Sequence, residues 1–182
     1  MNQLEQYVHQ NFQESYEEVS NSQRAHVLPM LTLEEKTIIY EYTSWEYLTV
    51  NSSLRQSNGT NVSEFAQYLD IALSKLPNYK NFVYRGADLP DTVSVLLERH
   101  FFDKKPFFLE YGFLSTSQSK ITASSFSEAY LFEIFSKTGK LIADIAKNGT
   151  YSFESEEEVL FRKNTRFKVL DIKNKLIRLK EI

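Results

Sequence analysis

At Pro77 the apolar residues change their spacing, and that change decides the fold class. Ahead of it, Val62, Phe65, Ala66, Leu69, Ala72, Leu73 and Leu76 recur at helical intervals. They make one stripe along a helix that Pro77 ends, with Asn61 and Glu64 reading as its N-terminal cap. Thr32 followed by Glu35 is a capping-box pair that opens an earlier helix through EEKTIIYEYTS. Beyond Pro77 the runs shorten: FVYRG at 82–86, FFLEYGFLSTS at 107–117, AYLFEIF at 129–135, KLIADIA at 140–146, EVLF at 158–161, then RFKVLDI and LIRLKEI. These read as strands, parted by turn pairs such as Thr138-Gly139 and Asn148-Gly149. Two helices, DTVSVLLERHFF and KITASSFS, interrupt the series. Strands this close leave room for few crossovers, so a mostly antiparallel sheet in an α+β domain is expected.

The 182 residues fit one domain, 1–182, with residues 1–30 as a helical extension. With 42% hydrophobic and 14% aromatic residues the chain can bury a sizeable core, and 5 Gly and 4 Pro are too few for a low-complexity protein. The absence of Cys excludes disulfides, thiolate metal sites and cysteine nucleophiles. The three His, at 9, 26 and 100, lack ligand spacing, so no metal is expected. Residues 1–20 have no apolar run and no later stretch is long enough to span a bilayer. A soluble chain without a signal peptide is therefore expected, working in the cytosol that makes it or delivered by a signal-independent route. Residues 162–180 hold eight Lys/Arg against Asp171 alone, but the charges alternate with Phe167, Val169, Ile177 and Leu179. That alternation fits the outer face of a strand pair, and neither a nucleic acid nor a membrane partner is expected.

Three short stretches carry residues suited to chemistry. Arg85 ends an apolar strand, where a guanidinium can grip a phosphate or carboxylate through two parallel bonds, and Gly86 lets the backbone approach a ligand. Ser115, Thr116 and Ser117 close another strand. SFESEEEVLF, at 152–161, puts four carboxylates into five positions directly before Val159. In an extended segment residues two apart face the same way, so Glu154, Glu156 and Glu158 share a face, and either adjacent pair satisfies an E-x-E spacing. Crowded carboxylates also raise one another's pKa, which suits a base.

In this order, YRG, GFLSTS and EEEVLF resemble the R-S-E class of mono-ADP-ribosyltransferases over roughly residues 31–170. The chain is most similar to the branch of the actin-modifying clostridial binary toxins and related arginine-specific bacterial enzymes. Their upstream helix carries Tyr-x4-Tyr-x3-Asn, the spacing of Tyr42, Tyr47 and Asn51. The resemblance implies two packed, roughly perpendicular, mostly antiparallel sheets around a cleft for NAD, which is the co-substrate. It implies that Tyr42, Tyr47 and Asn51 bind NAD, that Arg85 holds the pyrophosphate region and that Gly86 meets the nicotinamide amide. Phe126 then packs on the nicotinamide ring, Ser115 orients the catalytic glutamate, and Thr116 and Ser117 support the strand. The family places that glutamate directly before the Val-Leu strand. Glu158 is thus implied as catalytic and Glu156 as the acceptor-side group, with Glu154 and Glu157 left to solvent or substrate. Phe153, where the toxins' recognition turn has an aromatic, either contacts the protein substrate or anchors the loop. Ala129 stands where some toxin relatives have a second phosphate-binding Arg, and residues 1–30 are too few for the toxins' adaptor domain.

Breaking the nicotinamide–ribose bond leaves positive charge on the anomeric carbon and ring oxygen, which a carboxylate stabilises as it develops. An arginine acceptor, protonated at any ordinary pH, needs a second carboxylate to orient it and take its proton. Glu at position 156 therefore points to transfer to an arginine of a target protein; the resemblance further implies a bacterial toxin, effector or phage-encoded modifier, with actin a candidate target and a neutralising partner a candidate binder. The other readings are an NAD glycohydrolase that uses water as acceptor and a non-catalytic binding module of the same fold.

Overall fold

The computed structural model describes residues 2–89, 91–103, 107–152 and 155–182. Helices α1 (Gln3–Asn11), α2 (Gln13–Ser20), α3 (Leu33–Glu41), α4 (Tyr47–Gln56) and α5 (Glu64–Lys75) come first. Then follow β1 (Phe82–Ala87), α6 (Asp91–Phe102), β2 (Phe107–Glu110), β3 (Leu114–Ser117), α7 (Lys120–Ser125), β4 (Tyr130–Phe135), β5 (Lys140–Leu141), β6 (Glu158–Phe161), β7 (Thr165–Lys173) and β8 (Leu176–Glu181). The period change at Pro77 thus marks the passage from helical layer to sheet. Thr32 and Glu35 form the reciprocal capping box that opens α3. The cap of α5 differs from expectation. Ser63, whose side chain accepts from the Ala66 N–H, is the cap. Asn61 is engaged in the preceding turn, with its N–H on Ser57 Oγ and its Nδ2 on Ser53 Oγ.

Hydrogen bonding runs unbroken through eight strands in the order β2-β7-β8-β4-β1-β3-β6-β5, antiparallel except for β4 with β8. The two packed sheets expected are continuous in hydrogen bonding, two halves of one ladder that meet at a single register pair, Tyr84 with Ser117. β6 divides two cores. Leu160 joins the helical side with Ile38, Leu69 and Leu73, whereas Val159 and Phe161 join Val83, Ile134 and Phe167 on the other side. All four β6 residues are buried, which is why EVLF reads as a continuous apolar run rather than an alternating one. Fully burying a side chain of this size contributes about 1.5–3 kcal/mol. In β7 and β8 the buried residues include Phe167, Val169, Ile177 and Leu179, with Arg166, Lys168 and Arg178 outward.

Two expected strands are shorter than predicted, each for a visible reason. The run 107–117 breaks after Glu110 because the Gly112 N–H is taken by Glu110 Oε1 and the Phe113 N–H by Asn51 Oδ1. Its two pieces lie far apart in the strand order. The run 140–146 is a strand only over Lys140–Leu141. Ile142, Ala143, Ile145 and Ala146 are apolar because they are buried in turns, not because they extend a ladder. Among the described residues no helix is long and apolar enough to cross a membrane.

Candidate active site

β6 lies between β3 and β5, and its first residue, Glu158, pairs in register with Ser117. Ser115, two residues earlier on β3, is its diagonal neighbour, and Ser115 Oγ donates to Glu158 Oε1 at 2.6 Å. Thr116 points the other way and donates to the Val159 carbonyl at 2.5 Å, while Ser117 Oγ accepts the Ser119 N–H at 2.9 Å. Glu158 is 4% exposed, and its carboxyl is pushed up to about 7, above all by burial. The Ser115 bond and the Arg85 charge pull it down, whereas Glu156 pushes it up by less than burial does. The crowding of carboxylates expected to perturb this group is thus the lesser cause.

Arg85 comes from β1 and donates through Nη1 to the Ser115 carbonyl at 2.7 Å, which ties the guanidinium to the strand bearing the serine. Gly86 has a packing role beside the one its sequence position suggested. A Cβ there would collide with the Ala123 carbonyl oxygen of α7, so the glycine is required by the packing of that helix on β1. α7 ends at Ser125, and its cap residue, Phe126, is 57% exposed at the edge of the same cavity.

The opposite wall comes from the helical layer. Between α3 and α4 the chain widens into a π-helical segment, Tyr42–Glu46, a distortion that recurs at functional sites. Tyr42 and Asn51 are buried, and Asn51 Nδ2 donates to Tyr42 Oη at 2.9 Å. Asn51 Oδ1 also accepts the Phe113 N–H at 2.8 Å, so this pair fixes the entry of β3 as well as lining the cavity. Tyr47 is 42% exposed and lines it too.

These walls enclose about 710 Å³, lined by Tyr42, Tyr47, Asn51, Arg85, Gly86, Ser115, Thr116, Ser117, Phe126, Glu156 and Glu158. Every sequence-predicted site residue among the described ones is therefore brought to one cavity. Phe153 and Glu154 lie outside the described residues. Glu156 and Glu158 do not converge by simple strand alternation, because Glu157 between them takes φ 46°, in the left-handed region. The chain turns a corner there before β6 begins, and Glu157 is exposed.

Asn148 and Arg55 are among the cavity residues that the sequence pattern does not single out. Asn148 was taken only as half of a turn pair, yet its Nδ2 donates to Glu156 Oε1 at 3.0 Å and its carbonyl accepts the Glu156 N–H at 2.8 Å. Arg55 also lines the cavity and donates from Nε to Glu110 Oε1 at 2.9 Å. Its signal was available, since it stands one helical turn after Asn51 on the same face of α4. No group of three or more metal-ligating side chains gathers among the described residues.

Residues 4–180 match the ADP-ribosyltransferase exoenzyme family. Among curated relatives, the NAD(+)–arginine ADP-ribosyltransferase Vis of Vibrio splendidus is 26% identical over 177 residues, 87% of this chain and 67% of Vis. The NAD(+)–protein-arginine ADP-ribosyltransferase Tre1 of Serratia proteamaculans is 29% identical over 150 residues, 81% of this chain and 31% of Tre1. The chain thus spans two thirds of the one relative and under a third of the other. Its fold superimposes on exoenzyme S of Pseudomonas aeruginosa, solved with human 14-3-3 protein beta and carba-NAD, with a TM-score of 0.77 at 20% identity, covering 98% of this chain and 86% of that one. It also superimposes on Vis solved with agmatine, at TM-score 0.64 and 24% identity, covering 100% and 87%.

Proposed function

The chain belongs to the ADP-ribosyltransferase exoenzyme family, and from that premise we propose that it splits NAD between nicotinamide and ribose and joins the ADP-ribose to an arginine of a target protein. The observation that carries this reading is one cavity holding two carboxylates in different settings. Glu158 is buried and held by Ser115, and Glu156 stands two residues away on a loop. On this reading residues 1–182 act as one catalytic domain, with 1–30 as its helical extension.

The lining fits a dinucleotide. A volume of about 710 Å³ is ordinary for a ligand site. Arg85 and Arg55 offer guanidinium groups to a pyrophosphate, Tyr42, Tyr47 and Asn51 form the helical wall, and Phe126 offers a ring face to the nicotinamide at the mouth. Gly86 presents backbone hydrogen-bonding groups beside it. Glu158, ionised and oriented by Ser115, accepts a hydrogen bond from the ribose hydroxyl and stabilises positive charge on the sugar as the carbon–nitrogen bond breaks. The bonding electrons leave with nicotinamide. Glu156 orients the acceptor guanidinium and takes its proton as a guanidinium nitrogen bonds the anomeric carbon. Thr116 and Ser117 keep β3 in register, and Phe153 contacts the protein substrate.

Agmatine, a free guanidinium, tests this directly. The purified protein with labelled NAD is expected to label agmatine, and in a host lysate to label arginine, located by mass spectrometry, with Glu158→Gln as the inactive control. Release of nicotinamide with label found only as free ADP-ribose would assign water as the acceptor. We place the protein among bacterial toxins, effectors and phage-encoded modifiers. Purified actin is the first target to try, and a neutralising partner would be recognised by loss of agmatine labelling.

A further inference from the structure

Residues 142–150 form a turn that is largely buried over 142–146 and exposed at Lys147 and Asn148; its carbonyls need partners, and the partner comes from the far end of the chain. Arg24 sits in a single 3₁₀ turn, Gln23–His26, and is 8% exposed. Its Nε donates to the Ile145 carbonyl at 3.0 Å, and its Nη2 donates to the Ala146 and Lys147 carbonyls, each at 3.1 Å. The guanidinium carbon lies 5.1 Å from the Tyr40 ring and 6.0 Å from the Tyr151 ring. From the π-helical segment, Thr43 Oγ1 accepts the Lys147 N–H at 2.9 Å. The next residue is Asn148, which holds Glu156 by side chain and by backbone.

We propose that Arg24 and Asn148 are positioning residues for the acceptor-side glutamate, so that the N-terminal segment sets how well an arginine is used without setting how well NAD is split. This rests on the acceptor role proposed for Glu156. The chemistry of each residue suits the part. A carboxylate only accepts, so the Asn148 amide must turn its NH₂ to Glu156, and this engages Oε1 and offers Oε2 to the incoming guanidinium. The three successive carbonyls are met by donors spread over Nε and Nη2 of a planar fork, a spread that a single ammonium nitrogen does not reproduce. Ser115 and Glu158, by contrast, are held by the strand ladder; the turn meets that ladder through the Ile142 N–H on the Glu158 carbonyl at 3.0 Å, a backbone bond that neither Arg24 nor Asn148 makes.

The test compares labelling of agmatine with release of nicotinamide in the absence of an acceptor, using the full chain. Asn148→Ala, at an exposed turn, leaves the core untouched. It is expected to lower agmatine transfer by about 10- to 100-fold, the cost of a misplaced reacting group, and to lower nicotinamide release far less. Arg24→Lys shifts the ratio of the two activities in the same direction, and the double variant falls no further than the worse single one, because both act through one contact. An unchanged ratio in Asn148→Ala overturns the inference. So does an equal loss of both activities in Arg24→Lys, the mark of general loosening, and so does full additivity in the double variant. The unsubstituted protein separates this inference from the function beneath it. If it fails to label agmatine, both fall; if it labels normally and the ratios do not move, only the inference falls.

Discussion

Glu158 and Glu156 share a cavity but are built in opposite ways. Glu158 opens a strand that is paired on both sides and buried along its length, and its hydrogen-bond donor, Ser115, comes from the neighbouring strand. Glu156 precedes that strand, beyond the left-handed Glu157, and is held by the side chain and carbonyl of one loop residue. The difference teaches how bond cleavage and acceptor choice can be separated physically. On the function proposed, the group that meets NAD is placed by the register of the sheet, which cannot shift without moving two cores. On the same reading the group that meets the acceptor is placed by a loop, so acceptor preference can change while the cleavage machinery stays.

The largest test of this contrast removes its rigid half. Glu158→Gln is expected to cut nicotinamide release and agmatine transfer together by about 100- to 1,000-fold, the scale of losing one preorganised electrostatic contact. Transfer that survived this change would erase the distinction. Glu156→Gln comes next, with agmatine transfer falling about 100-fold as a general base is lost and nicotinamide release falling far less. Equal losses would merge the two carboxylates into one device.

Acidity sharpens the comparison further. Because the Glu158 carboxyl is pushed up to about 7 and acts ionised, nicotinamide release by the unliganded protein rises with pH through about 7 and then levels. The Ser115 hydrogen bond lowers that pKa, so Ser115→Ala moves the rise to higher pH, which a series of kcat/KM measurements would read. The smallest effect is on stability. A carboxyl whose folded pKa lies above its unfolded value contributes most below the unfolded pKa, here near 4.5, and that contribution is lost as pH rises through about 7. Urea denaturation is therefore expected to find Glu158→Gln more stable than the parent by about 2–3 kcal/mol at pH 8 and little changed at pH 4.5. A buried charge retained at that cost marks the rigid half of the site as functional.

The sequence made the strand-borne part of this site readable and hid the loop-borne part. Arg85, Ser115 and Glu158 each sit in a short apolar word bounded by turn residues, so local pattern was enough to place them on strands. The pairing of Glu156 with Glu158 was read from alternation, yet the structure achieves it through a corner at Glu157, which no period-2 rule contains. Residues 142–146 looked like a strand because burial writes the same letters whether the partner is a ladder or a packed turn. Arg24 was silent for a similar reason. Its partners lie 121 to 123 residues away, and nothing within a helical turn of it announces three waiting carbonyls.

The placement of β8 bears on how the protein is made. β8 lies between β7 and β4, so among the described residues β7 and β2 join the rest of the sheet through residues 176–181. Its last residue, Glu181, also accepts the Lys137 and Thr138 N–H groups of the turn leading to β5. On the ribosome, the strands bearing Arg85, Ser115 and Glu158 emerge first and are neighbours in the sheet, so they are free to pair before residues 176–181 arrive to tie β7 and β2 to them.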